Sequence, residues 1–282
     1  MAIQLGTIAA IGFEDIPTDR QLPLFRELGC TVVQAYRNTQ ANVSPEQMRQ
    51  ALASGQMPCD SLHGIFGEQY DPSAPLESAR RFSVETFHAE GRLCLDLGGS
   101  LVVVHCSTIR REGISAHERL IRVDQLKRSI EDLGRYGQTI GVRYAFENLP
   151  AYHPLGSDVG ELAGILRQVA APNTGICFDC GHANMVGDVA TAVRQGGDQI
   201  IYVHLSDNSG LADDHEMLTF GKIDSAAMAR ALHEIHYSGT MMLEVFHSVE
   251  RLRQLIADGC MARLAAVLAI AAGPEDQPSA VD

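Results

Sequence analysis

VRYAFENLPAYHPLGSDVGELAGILRQVAAPNTGICFDCGH (142–182) contains a complete structural unit and the start of the next. It opens with a short apolar run, VRYAFEN (142–148), and passes through a turn-rich segment to Ser157-Asp158, residue types that cap helices, just before ELAGILRQV. A second apolar run, GICFDCGH (175–182), follows. Short, near-continuous apolar runs on either side of an amphipathic helix are the pattern of parallel strands buried on both faces.

The alternation continues in both directions. Upstream, the strand candidates are IQLGTIA (3–9), TVVQAYR (31–37), CDSLHGI (59–65) and SLVVVHC (100–106). Downstream they are IIYVHLSD (200–207) and TMMLEVF (240–246). Helical spacing fills 76–97 and 115–139, and Ser44-Pro45-Glu46 and Asp224-Ser225 supply further start signals. Gly29, Gly98–Gly99, Gly141 and Gly239 stand where a helix hands over to the next strand. Eight β-then-α units without a linker predict a single α/β domain, a closed (β/α)8 TIM barrel over 1–270, with a flexible C-terminal tail over 271–282. An open doubly wound sheet is the alternative, but no GxGxxG follows the first strand.

Composition narrows the partners. Asp and Glu total 35 against 22 Lys and Arg, a formal charge of −13, which repels phosphate backbones and anionic lipid. The seven cysteines are an odd number set in or beside apolar runs, with Cys177 and Cys180 flanking an aspartate; this suits reduced thiols in a cytoplasmic protein. The N-terminus lacks a basic region, and no run of about 18 apolar residues occurs, so neither a signal peptide nor a membrane span is expected.

Barrel chemistry belongs at the C-terminal ends of the strands. His63 ends strand three, His105 strand four, Glu147 strand five and Asp179 strand six, with His182 just beyond. Strand seven carries His204 and Asp207, its following loop Asp213 and His215, and strand eight Glu244. Six consecutive strands thus direct His or carboxylate side chains at one mouth. Glu147 and Glu244 lie inside apolar runs, where an unpaired carboxylate costs several kcal/mol or takes up a proton. No strand-end Lys or Arg in the last four strands neutralises them, so the convergence predicts a divalent cation. Lys222, in FGKID, is expected as a substrate anion contact, and Arg110–Arg111 as a solvated helix entry, with a contact to a substrate phosphate or carboxylate as the alternative. Phe13, Tyr36 and Phe66 are expected pocket walls; Met185, Met217 and Phe220 either wall the pocket or pack in the core. No phosphate-binding glycine loop follows strands seven and eight.

FENLP (146–150), GICFDCGH (175–182), YVHLSDNSG (202–210) with DDH (213–215), and LEVF (243–246) resemble the sugar phosphate isomerase/epimerase group of xylose-isomerase-like TIM barrels. The resemblance covers residues 3–267. It implies one divalent metal ion (Mn, Zn, Mg or Co) held by Glu147, Asp179, His204 and Glu244, with His182 as a substrate contact. It further implies a metal-dependent isomerase or epimerase of a keto-sugar, sugar phosphate or cyclitol, moving a proton through a metal-bound enediolate with Glu147 and Glu244 as acid and base. In this group His63, His105 and His215 are expected to meet substrate hydroxyls first and to ligate metal second.

Two alternatives share the motifs. A lyase that dehydrates a keto-cyclitol or a dehydroshikimate-type acid begins with the same proton abstraction. The related trinuclear-zinc apurinic endonucleases carry a fuller ligand set, matched here by His63, His105, Glu147, Asp179, His182, His204, Asp213, His215 and Glu244. The acidic surface and the absence of Trp argue against that hydrolase. The expected partner is therefore a small polyhydroxylated molecule, with no nucleic acid and no membrane. A homo-oligomer, dimer or tetramer, is expected by resemblance, and ARLAAVLAIAA (262–272) offers a surface for it.

Overall fold

The computed structural model describes residues 3–110 and 113–273; Arg111 and residues 274–282 of the expected tail lie outside them. Eight strands run in chain order: β1 (Gln4–Ile11), β2 (Val32–Arg37), β3 (Cys59–His63), β4 (Leu101–His105), β5 (Arg143–Glu147), β6 (Thr174–Asp179), β7 (Ile200–Leu205) and β8 (Thr240–Leu243). Each pairs in parallel with the next, and β1 closes onto β8 with Gln4 opposite Thr240 and Thr7 opposite Leu243. Closure removes both sheet edges, which settles the choice between the barrel and the open sheet.

The outer shell comprises α1 (Thr18–Glu27), α2 (Pro45–Ser54), α3 (Glu77–Asp96), α4 (Ala116–Ile140), α5 (Val159–Val169), α6 (Cys180–Asn184), α7 (Val189–Gly196), α8 (Ser225–Glu234), α9 (Val249–Ala257) and α10 (Cys260–Ala272). The expected cap residues cap. Ser44 and Gln47 form a reciprocal capping box, and the side chains of Asp158 and Asp224 accept from the backbone N–H groups of Glu161 and Ala227. Each such cap contributes about 1 kcal/mol. Gly141 ends α4 at φ 79°, a left-handed conformation that a side chain resists. Gly29 and Gly98 also have positive φ, whereas Gly99 and Gly239 do not. The sequence reading contained no counterpart of α1, which tolerates Pro23 in its interior. α10 runs to Ala272, so the tail expected from 271 begins with helical residues.

Two apolar layers result from the strand alternation. Side chains facing outward, such as Val33, Leu62, Val104, Phe146 and Phe178, pack under the helices. Those facing inward, including Ile8, Val32, Val103, Ala145, Cys177, Tyr202 and Met242, fill the barrel. Cys177 and Cys180 have Cys-x-x-Cys spacing but fall in different layers, Cys177 inside and Cys180 outside, so they are not a redox pair. All seven cysteines are free and buried. Among the described residues no single helix is long and apolar enough to cross a membrane.

Candidate active site

The barrel order brings the expected residues together at the C-terminal mouth. In the sheet register His105 lies opposite Glu147, and Asp179 opposite His204. Glu244 stands one residue past β8, yet its N–H donates to the Leu205 carbonyl at 2.9 Å, which carries the β7–β8 ladder to its position. Glu147, Asp179, His204 and Glu244 are all buried, and each offers a ligand atom within 4.8 Å of the others. His204 Nδ1 lies 2.9 Å from both Glu147 Oε1 and Glu244 Oε2.

Strand six ends at Asp179, as expected, and the Asp179 Oδ1 accepts from the His182 N–H at 2.6 Å and caps the one-turn α6. That turn directs the His182 ring into the mouth. Its Nδ1 lies 2.8 Å from the Asn148 carbonyl and its Nε2 3.3 Å from Asp213 Oδ2. Asn148 also clamps the ends of β5 and β6: its amide donates to the Asp179 carbonyl at 2.9 Å and accepts from the Asp179 N–H at 2.8 Å. The sequence reading gave Asn148 no role, although its place beside Glu147 on a buried strand end was visible.

The remaining histidines form flanking groups. His105 and His63 place Nε2 at 3.1 and 3.6 Å from Glu147 Oε2, so both first meet a carboxylate. Asp213 Oδ2 sits between His182 and His215, 3.4 Å from His215 Nε2. Three further groups have ligand atoms within 4.8 Å of one another: the flanking His63–His105–Glu147 and His182–Asp213–His215, and Glu147–Cys177–His204 deeper in the barrel. Lys222 is not brought among them: it is exposed, and only its backbone is engaged, through its N–H to the Asn208 carbonyl.

A divalent ion fits this donor set. Glu147 Oε2, Asp179 Oδ2 and Glu244 Oε2 are buried without a hydrogen-bond partner, and the ion pairs of these carboxylates are with histidines alone among the described residues. Three oxygen donors and one imidazole suit Mn, Mg, Co or Zn. Burial opposes the charge of Glu147 and Glu244, but His204 outweighs it and holds both below the usual carboxylate range, Glu244 at about 2. Asp179 rises to about 7 through burial and the charges of Glu244 and Glu147. Burial lowers His182, yet Asp179 and Asp213 prevail and raise it to about 10.

Around this polar floor stands an aromatic wall. Phe13, Tyr36, Phe66 and Phe246 pack in tilted and T-shaped contacts, with ring centroids 4.5 Å apart for Tyr36 and His63, 4.7 Å for Phe66 and His105 and 5.0 Å for Phe246 and His215. Phe246, two residues beyond Glu244, is an addition to the expected set. Met217 is fully buried in the outer core instead, and Phe220 lies beneath Arg263. His153, also absent from the sequence reading, is buried in the β5–α5 loop.

Asp207 does not join the mouth. Its carboxylate accepts from the N–H groups of Asn208 (2.9 Å), Thr219 (3.0 Å) and Ile223 (3.0 Å), folding back the loop that carries Asp213 and His215. A Cβ on Gly221 would lie 2.3 Å from Asp207 Oδ1, which explains the glycine in FGKID. Asp207→Ala leaves three backbone donors without an acceptor, two of them buried, at about 1–3 kcal/mol for each buried one. Urea unfolding is therefore expected to show a loss of several kcal/mol; a variant as stable as the parent would remove this role.

A cavity of about 590 Å³ opens at the opposite end of the barrel, lined by Asp60, Arg143, Tyr202 and Thr240. Ser61, Tyr202 and Thr240 hydroxyls all donate to Asp60, so this carboxylate is spent within the fold.

Comparison with known proteins places this architecture. A curated relative, an uncharacterised protein of Methanocaldococcus jannaschii, is 28% identical over 187 residues, 65% of this chain and 63% of that protein, so the match spans less than two thirds of its length. The mannonate dehydratase of Oceanobacillus iheyensis is 30% identical over 79 residues, 26% of this chain and 23% of the dehydratase. The structure of a D-tagatose 3-epimerase-like protein superposes with a TM-score of 0.73 at 20% identity, covering 94% of this chain and 100% of that one. The model of the xylose isomerase-like TIM barrel family matches residues 22–263, and the chain belongs to that family.

Proposed function

We propose that the protein is a metal-dependent isomerase or epimerase of a small polyhydroxylated ketone. The observation that carries this reading is the buried group Glu147–Asp179–His204–Glu244, in which three carboxylate oxygens make no hydrogen bond and face only histidines. A divalent ion held there would polarise a substrate carbonyl and acidify the neighbouring C–H. Glu147 and Glu244, both held below the usual carboxylate range, each contact His204 Nδ1 through one oxygen and would act as the base and the acid toward a bound carbon chain. One carboxylate takes the proton from carbon and the other returns a proton to the opposite face, which inverts the centre. Delivery to the neighbouring carbon moves the carbonyl instead. His182, held cationic by Asp179 and Asp213, donates to a substrate oxygen on which negative charge develops. The aromatic wall limits water at the reacting carbon.

The similarity to a D-tagatose 3-epimerase-like structure supports sugar epimerisation, and the match to a mannonate dehydratase supports the lyase variant of the same proton abstraction. Incubation with candidate ketoses in deuterated water tests the reading. Exchange at the carbon beside the carbonyl is expected, with or without loss of water from the product. Absence of exchange from every ketose and cyclitol tried, with metal bound, would sink it.

A second reading is favoured by the two flanking groups, which share or adjoin the first and would together accommodate up to three ions, as a zinc phosphodiester hydrolase requires. Metal analysis of freshly purified protein separates the two. Near one equivalent per chain is expected; two to three equivalents of zinc, with cleavage of abasic DNA, would replace the isomerase by the hydrolase.

A further inference from the structure

We propose that Arg110, Tyr152 and His153 form a distal subsite that receives an anionic group of the substrate, a carboxylate or a phosphate ester, at the end remote from the reacting carbon. This inference rests on the isomerase reading above.

The three residues belong to adjoining loops at the mouth, Arg110 after β4 and the other two after β5. The Arg110 guanidinium lies over the Tyr152 ring, 5.3 Å from its centroid, which restrains it without neutralising it. Among the described residues it has no carboxylate partner, unlike the other mouth-side arginines: Arg37 is held by Glu90 at 2.7 Å and Arg251 by Glu216 at 3.3 Å. Tyr152 is 42% exposed, and its hydroxyl makes no hydrogen bond among the described residues. Beneath them His153 is only 2% exposed, and its Nδ1 is buried without a partner, an atom that folding alone leaves unsatisfied.

His153 links this corner to the reaction centre. Burial first, then the positive fields of His105 and Arg110, lower its imidazole to about 4, so it stays neutral while lying within reach of both. Phe13, Tyr36, Phe66 and Phe246 make the far side of the mouth largely apolar, and the arginines there, Arg37 and Arg251, are already paired with Glu90 and Glu216. A charged substrate end is therefore expelled from that side and repelled by the carboxylates at the floor. The β4–β5 rim is where a guanidinium without a carboxylate partner, a phenol without a hydrogen bond and an imidazole with one unpartnered nitrogen meet, among the described residues. Arginine recognises planar oxyanions through paired N–H donors, so a carboxylate or phosphate oxygen is the matching chemistry.

The test uses the metal-loaded full chain and three ligands of one carbon skeleton: D-fructose, D-fructose 6-phosphate and D-fructuronate. Binding is read by calorimetry at low salt, and proton abstraction by deuterium exchange. At least one anion is expected to bind about tenfold more tightly than fructose, a difference of about 1.4 kcal/mol. That preference should shrink with added salt and collapse toward one in Arg110→Gln, while Arg110→Lys keeps part of it. Which anion wins identifies the carboxylate or the phosphate. Fructose binding as tightly as both anions, no binding of either anion, or Arg110→Gln weakening all three ligands equally overturns the subsite. Preferential anion binding without any exchange leaves the subsite standing and counts against the isomerase; exchange without charge preference does the reverse.

Discussion

Glu147→Ala is expected to release bound metal and abolish turnover together. Glu147 belongs to the four-residue group and to the His63–His105 group, and its two oxygens face different histidines: Oε1 faces His204 at 2.9 Å and Oε2 faces His105 at 3.1 Å. Loss of an outer hydrogen-bond partner of a ligand typically costs roughly 10–100-fold in affinity, so loss of a carboxylate that can ligate directly must cost more. Elemental analysis of the purified variant should return far less than the parent's metal, and kcat/KM should fall by at least about 10³, the scale on which a removed Lewis acid forfeits several kcal/mol. A variant with the parental metal content would show that the converging carboxylates serve another purpose.

Glu244→Gln separates binding from proton transfer. The amide has nearly the same shape and can still offer an oxygen, while Glu147, Asp179 and His204 remain, so metal is expected to stay bound. What the amide lacks is a lone pair basic enough to take a proton from carbon. Exchange of substrate hydrogen with deuterated water should drop by roughly 10²–10⁴, the usual contribution of a positioned acid or base. The decline should appear in kcat more than in KM, because substrate binding is left largely intact. Exchange at the parental rate, with metal retained, would assign the proton transfer to another group.

The architecture was legible because its signals are local and repeated. Each strand is a short apolar run, most hand-overs have a cap or a glycine, and eight such units leave only a closed or an open parallel sheet. The ligand positions were legible for a related reason: Glu147 and Glu244 are charges placed where hydrophobicity demands none. Residues whose roles depend on contacts between distant segments were not. Asp207 reads like its neighbours Asp213 and Asp214, and only the return of Thr219 and Ile223 to its carboxylate reveals a loop anchor. Asn148 is legible as polar, but its clamp depends on the β5–β6 register. The Cys180–His182 segment continues an apolar run, and it turns helical because Asp179 can bond back to the third residue on. Phe246 and His153 lie in loops, where no periodicity marks a direction.

The burial of all seven thiols gives the chain a built-in clock of its own opening. A thiolate must reach solvent before it can attack a disulfide reagent, and none can while the shell is closed. Modification rates therefore count excursions from the native state rather than surface accidents. Cys177, inside the barrel, and Cys94, on the buried face of α3, report on different parts of the fold. If the barrel opens as one unit, they will be labelled in step; if a βα segment peels away first, its cysteine will run ahead, and the order of labelling will map which part of the ring lets go.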